Sequence, residues 1–134
     1  MSRFVSGLLL SAFACAGPAA NATVEIIEPA DGALTSDSTV RIVLAATGIE
    51  IAPAAEEREG TAHHHLFVDR DLTPLSDTIP AGVSGILHLG RGQTELLLRG
   101  LAPGEHIVVA LLADRAHIPL SPPALDTVRF TVRP

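Results

Sequence analysis

Apolar side chains in this chain recur mostly at alternate positions, and prolines and glycines interrupt them at short intervals. Alternation turns one face of an extended backbone toward a core and the other toward solvent, so it predicts strands rather than helices. Residues 24–27 form the first expected strand, stopped by Pro29 and the turn pair Asp31-Gly32. In residues 39–47, Val40, Ile42, Leu44 and Ala46 share one face, with Arg41 and Thr47 on the other. Residues 48–60 read as a long connection with Pro53 and the run Glu56-Glu57-Arg58-Glu59. A helical turn could form over 54–58, but a solvated loop is the preferred reading. The third strand is 63–69, followed by a loop over 70–82 held by Pro74 and Pro80. Residues 86–89 form a short extended piece, which Gly90-Arg91-Gly92 turns into 94–99.

After the corner Gly100-Leu101-Ala102-Pro103-Gly104, residues 106–113 make the longest apolar strand. Helix is rejected there because Pro103-Gly104 and Pro119 leave too little length. Pro119, Pro122 and Pro123 keep 116–124 extended, since a residue before proline avoids the helical region. In the last strand, 127–132, Val128, Phe130 and Val132 alternate with Arg129, Thr131 and Arg133. Seven short strands spaced by about ten residues predict an all-β, immunoglobulin-like antiparallel sandwich.

The opening of the chain does not fit that pattern. Met1-Ser2-Arg3 is cationic, residues 4–16 are apolar apart from Ser and Gly, and Ala20-Asn21-Ala22 is a small-x-small signal-peptidase site. The chain is expected to divide into a signal peptide, 1–22, cleaved after Ala22, and one domain, 23–134. The apolar run is shorter than the roughly 20 residues a membrane-spanning helix needs. The mature chain is therefore expected to have no membrane span. Lipidation at Cys15 is the alternative, but Phe13 makes Ala12-Phe13-Ala14 a poor lipobox.

Cleavage would change the available chemistry. Cys15 and Met1, the only residues of their kinds, both lie in the leader. What remains has no disulfide, no thiolate nucleophile and no soft sulfur ligand. Eight arginines then face fifteen acids, a formal charge of −7. An acidic surface without a basic cluster does not suit nucleic acid or an anionic membrane. There is no Trp or Tyr, and beyond the leader Phe occurs only at 67 and 130, so no aromatic platform is left for stacking bases or sugars. Val, Ile and Leu are abundant enough for a core.

Three of the six histidines stand together in Thr61-Ala62-His63-His64-His65-Leu66-Phe67-Val68-Asp69, where the third strand opens. In an immunoglobulin-like topology with strands A to G, the B–C, D–E and F–G connections gather at one end and the E–F corner lies at the other. His63, His64, His65, His88 and His117 should therefore converge, with Asp114 beside them. His106 should lie about 26 Å from Asp114, at about 3.3 Å per residue. Alternation sets His63, His65, Phe67 and Asp69 on one face and His64, Leu66 and Val68 on the other, and Asp69 suggests that the first face looks outward at its ends. His63 and His65 then project about 6.6 Å apart. Such a pair can hold one ion with His88 or His117 as a third ligand, while Asp114 serves as a fourth ligand or orients a ring. Neutral imidazole suits Zn(II), Cu(II) and Ni(II), and the lack of sulfur ligands argues against Cu(I) and iron–sulfur clusters.

Plainer roles compete with these. His64, on the apolar face, reads as a core histidine bonded to a carbonyl. His106 follows Leu-x-Pro-Gly, where such sandwiches place a corner tyrosine bonded back to the backbone. His117 could brace the proline-rich loop. Gly90, Gly92 and Gly104 read as turn glycines with positive φ. Gly-Arg-Gly-Gln lacks the context of a phosphate loop, and Glu56 to Glu59 resemble a solvated loop rather than a catalytic dyad.

Four ordered motifs, HHHLFVD (63–69), HLGRGQTE (88–95), LAPGEH (101–106) and DRAHIPLSPP (114–123), resemble an uncharacterised exported bacterial family, domain-of-unknown-function family 4399. The likeness runs from about Pro29 to the C-terminus. It implies a β-sandwich in a small secreted protein and, from the family's usual setting, a periplasmic location. The family often has His-Ile-His where this chain has Ile86-Leu87-His88, and His-x-Pro-His where Leu120 replaces the last histidine. Fewer ligands are therefore expected here if the family binds metal.

Three functions follow. The first is a non-catalytic module of the cell envelope that binds a divalent metal, Cu(II) or Zn(II), through His63, His65, His88, His117 and Asp114. The second is a structural or protein-interaction sandwich braced by its histidines. The third is a metal-dependent hydrolase using His63, His65 and His117, disfavoured because the chain has no HExxH and no nucleophile elbow.

Overall fold

Strands dominate residues 21–134, the part described by the computed structural model. The expected signal peptide up to residue 20, with Cys15, lies outside the described residues. The strands are β1 (Thr23–Glu28), β2 (Ala33–Thr35), β3 (Val40–Thr47), β4 (Glu50–Ile51), β5 (Thr61–Val68), β6 (Ile86–Leu89), β7 (Glu95–Leu98), β8 (Gly104–Ala113) and β9 (Leu125–Val132). They form two sheets, ordered β1-β3-β7 and β2-β9-β8-β5-β4, with β6 also paired to β5. The all-β class and a sandwich-like arrangement follow. The seven expected strands lie close to where the pattern predicts them, as β1, β3 and β5 to β9.

Four details differ from expectation. β2 pairs in parallel with β9, and β4 in parallel with β5, both outside the expected strands. Elements of three and two residues are too short to show periodicity and exist because a neighbouring edge accepts their hydrogen bonds. The third difference is β6, which extends the β5 edge instead of joining β7 as a constant-type immunoglobulin strand would. In the 48–60 connection Ala52 is buried and Ile49 packs on the main core, while residues 57–60 are exposed; its Arg58 guanidinium forks onto Glu50 at 2.9 and 2.8 Å. Past β8 the chain does not stay extended as expected for 116–124: it reverses in a turn over 114–118, closed by the antiparallel bridge between Ala113 and Pro119.

The main core lies between the sheets, where alternate residues of each strand meet: Val24 and Ile26, Ile42 and Leu44, Leu66, Val108 and Leu112, Val128 and Phe130. Each fully buried aliphatic side chain there contributes roughly 1.5–3 kcal/mol. A smaller core sits on the outer face of the second sheet. There the segment between β5 and β6 folds back and buries Phe67, Ile79, Ile86, Leu111 and Ala113, flanked by Leu72 and Val83. This corrects the expectation that the His63 face of the third strand looks outward. That face does point away from the main core, yet β5 is buried on both sides from Thr61 to Phe67.

At the other end of β5, Asp69 and His106 close a corner. Asp69 adopts φ 52° and its Oδ1 accepts the Ile107 N–H at 2.8 Å. His106 Nδ1 donates to Asp69 Oδ2 and Nε2 to the Ala102 carbonyl, both at 2.7 Å, and the ring stacks on Phe130. Burial alone would lower the His106 pKa, but the Ala102 carbonyl and the Asp69 carboxylate together raise it. The backbone-bonded corner role expected for His106 is the one it has.

Candidate metal centre

Strand register brings the first three imidazoles together. His65 lies directly opposite His88 across the β5–β6 pair, and directly opposite Leu111 on the β8 side. Opposed residues on one face of an antiparallel pair have Cβ atoms about 4.5–5.5 Å apart. His63 is two residues earlier on the same face, across from Ala113, whose small side chain leaves room for the ring.

The fourth imidazole comes from the turn after β8. The Asp114 carbonyl accepts the His117 N–H at 2.9 Å, and its Oδ1 accepts the N–H groups of Ala116 and Ile118 at 2.8 and 3.0 Å. His117 is held at φ 60°, a left-handed conformation that costs a residue with a side chain about 1–2 kcal/mol. Its carbonyl is anchored by the Ile79 N–H at 2.8 Å, tying the turn to the segment that covers the small core. Asp114 was expected as a fourth ligand or as a partner for a ring nitrogen. It stands outside the histidine group and instead shapes the backbone that carries His117.

One ligand atom from each of His63, His65, His88 and His117 falls within 4.8 Å of the others. The Nε2 atoms of His63 and His65 are 3.0 Å apart, and those of His88 and His117 are 3.2 Å apart. Four nitrogens at about 2.0–2.1 Å from a tetrahedral zinc lie about 3.3–3.4 Å from one another, so the two short edges nearly fit and the widest must close in. His63 and His65 are buried, His117 is half-buried and His88 is exposed, so the group opens to solvent on the His88 side.

The charge state suits ligation. Burial, followed by the neighbouring imidazoles, pushes the His63 pKa down to about 4 and the His65 pKa down to about 3. Burial and His117 lower that of His88 as well. These rings are neutral at pH 7, the form that offers a nitrogen lone pair to a metal.

His64 points into the main core and is fully buried, but neither ring nitrogen has a hydrogen-bond partner, so the carbonyl bond expected for it does not form. Burial lowers its pKa, and the Gln93 backbone, outside hydrogen-bond geometry, offsets this only in part. The His65 Nδ1 is also buried without a partner. No helix among the described residues is long and apolar enough to cross a membrane.

The two departures from the family motifs fall elsewhere. Ile86 sits opposite Phe67 in the small core, and Leu120 belongs to the main core. No curated protein and no solved structure matches the chain. A family model does match, described as Domain of unknown function (DUF4399), over residues 42–133, a span that holds all four clustered histidines. That match covers more than half of the chain, and the protein belongs to the DUF4399 family.

Proposed function

We propose that this protein is an exported, non-catalytic module of the cell envelope that binds one divalent transition-metal ion, Cu(II) or Zn(II). The observation that carries the reading is the approach of four imidazole nitrogens to within 4.8 Å of one another. Four protein ligands complete a tetrahedral set and leave no open position for a substrate, which is the pattern of structural rather than catalytic zinc sites. The donors are all nitrogen. That disfavours Mg(II) and Ca(II), which want oxygen, and the Irving–Williams order then ranks Cu(II) above Zn(II). The cationic and apolar opening of the sequence, ending at Ala20-Asn21-Ala22, supports export to the periplasm or beyond.

A second reading, histidines as braces, is favoured by the Nε2 pairs themselves, since the two nitrogens of each pair lie at hydrogen-bond distance. Equilibrium dialysis of tag-free residues 23–134 against Cu(II) and Zn(II) at pH 7.5 separates the two. One ion bound per chain, with four nitrogens in the Cu(II) electron paramagnetic resonance spectrum, is expected. Failure to bind either ion stoichiometrically rejects the metal reading and leaves the braces.

A further inference from the structure

We propose that Gly90 is a positioning residue for this centre: the missing side chain at 90 is the seat of the His88 imidazole. This rests on the metal-binding reading above. A Cβ placed on Gly90 would fall on the His88 Cε1, 2.7 Å from Nε2 and 2.9 Å from Nδ1. Non-bonded heavy atoms settle at about 3.5–4.0 Å. The ring thus lies folded back over the backbone of residue 90, and no larger residue fits beneath it.

Turn geometry does not account for this glycine. Gly92 and Gly104, read with it as turn glycines, have φ of 77° and 132°, but Gly90 is not among the glycines at positive φ. Nor is its backbone free to retreat. The Gly90 carbonyl accepts the Ala54 N–H at 2.9 Å, and the next residue, Arg91, is bridged to Pro53. What yields on substitution is the ring, because the His88 side chain is exposed and can swing into water. The expected result is a folded protein whose His88 imidazole has left the group.

The test compares wild-type, Gly90→Ala, His88→Ala and Gly92→Ala forms of tag-free residues 23–134. Gly92→Ala is the turn control, since its Cβ would meet Pro53 and Ala52 rather than the ring. In metal-free wild-type protein, the His88 ring protons should show nuclear Overhauser contacts to the Gly90 Hα. Gly90→Ala should shift the His88 ring resonances. It should weaken Cu(II) and Zn(II) binding by roughly 10- to 100-fold, the range for losing a group that orients a ligand. It should also drop one nitrogen from the Cu(II) spectrum, as His88→Ala does and Gly92→Ala does not. Unchanged affinity with four nitrogens in Gly90→Ala overturns the proposal. If Gly90→Ala does not fold, the double variant His88→Ala/Gly90→Ala should, because the ring is gone; failure of the double variant as well overturns it. If wild type binds neither ion, the metal reading falls, and the metal-free spectra judge the seat alone: an unperturbed His88 ring in Gly90→Ala sinks it.

Discussion

The Nε2 atoms of His63 and His65, two residues apart on one strand, lie 3.0 Å from each other inside the protein rather than at its surface. Side chains at that spacing start about 6.6 Å apart, so the two rings lean together. Each is the other's only hydrogen-bond partner at Nε2 among the described residues. Replacing either with Ala leaves the second buried and unpaired, at a cost of about 1–3 kcal/mol in the metal-free protein. Urea denaturation checks this. The same variants should also lose the stabilisation that bound Zn(II) gives the wild type, about 2.7 kcal/mol at a hundred times Kd.

Asp114 acts through the His117 backbone, which separates Asn from Ala at that position. Asp114→Asn keeps an Oδ1 to accept the Ala116 and Ile118 N–H groups and should hold metal affinity within about threefold. Asp114→Ala strips both bonds from the turn and should weaken binding roughly 10- to 100-fold. Isothermal titration reads both. A large loss in Asp114→Asn would instead mean that the carboxylate's charge matters directly.

The left-handed backbone of His117 predicts an unusual stability result. His117→Gly relieves the conformational cost while adding freedom to the unfolded chain, so metal-free stability should stay within about 1 kcal/mol of wild type. Metal affinity should nevertheless fall. A fold that tolerates Gly at 117 while binding collapses identifies the histidine as a ligand rather than a brace.

His106 gives the fold a pH dependence opposite in sign to that of a buried neutral histidine. Its folded pKa is raised. Its contribution is therefore complete below the unfolded value of about 6.5 and is lost as pH rises through the folded value. The denaturation midpoint of wild type should fall from pH 5.5 to pH 8.5 relative to that of His106→Phe. Equal slopes for the two proteins would show that Asp69 and Ala102 do not hold the proton.

His64 should be dispensable. Its nitrogens have no partners in the main core, so His64→Leu removes an unsatisfied polar group and keeps the volume. A gain of about 1 kcal/mol, or roughly 4 °C in Tm, is expected, with metal binding intact because the ring faces away from the cluster.

Local pattern determined much of this protein. Alternation in residues 40–46 and 128–132 marked strands of the main core, and the same two-residue period put His63 and His65 on one face. The Leu-x-Pro-Gly-x-His spacing marked the corner where His106 bonds the Ala102 carbonyl. Side-chain period is a property of the backbone itself, so it is legible one residue at a time.

Tertiary structure decided the rest. Which edge β6 joins sets His88 opposite His65, and nothing in residues 86–89 states that choice. The cover over Phe67 and Leu111 comes from a proline-broken segment with no periodicity, whose Ile79 and Leu72 bury that outer face only once the sheet exists. The turn bonds of Asp114 and the seat of the His88 ring over Gly90 likewise belong to three-dimensional packing: the first depends on three residues closing a loop, the second on where a neighbouring ring comes to rest. Pairing between segments distant in the chain is set by the free energy of the whole assembled core, which no local stretch of sequence contains.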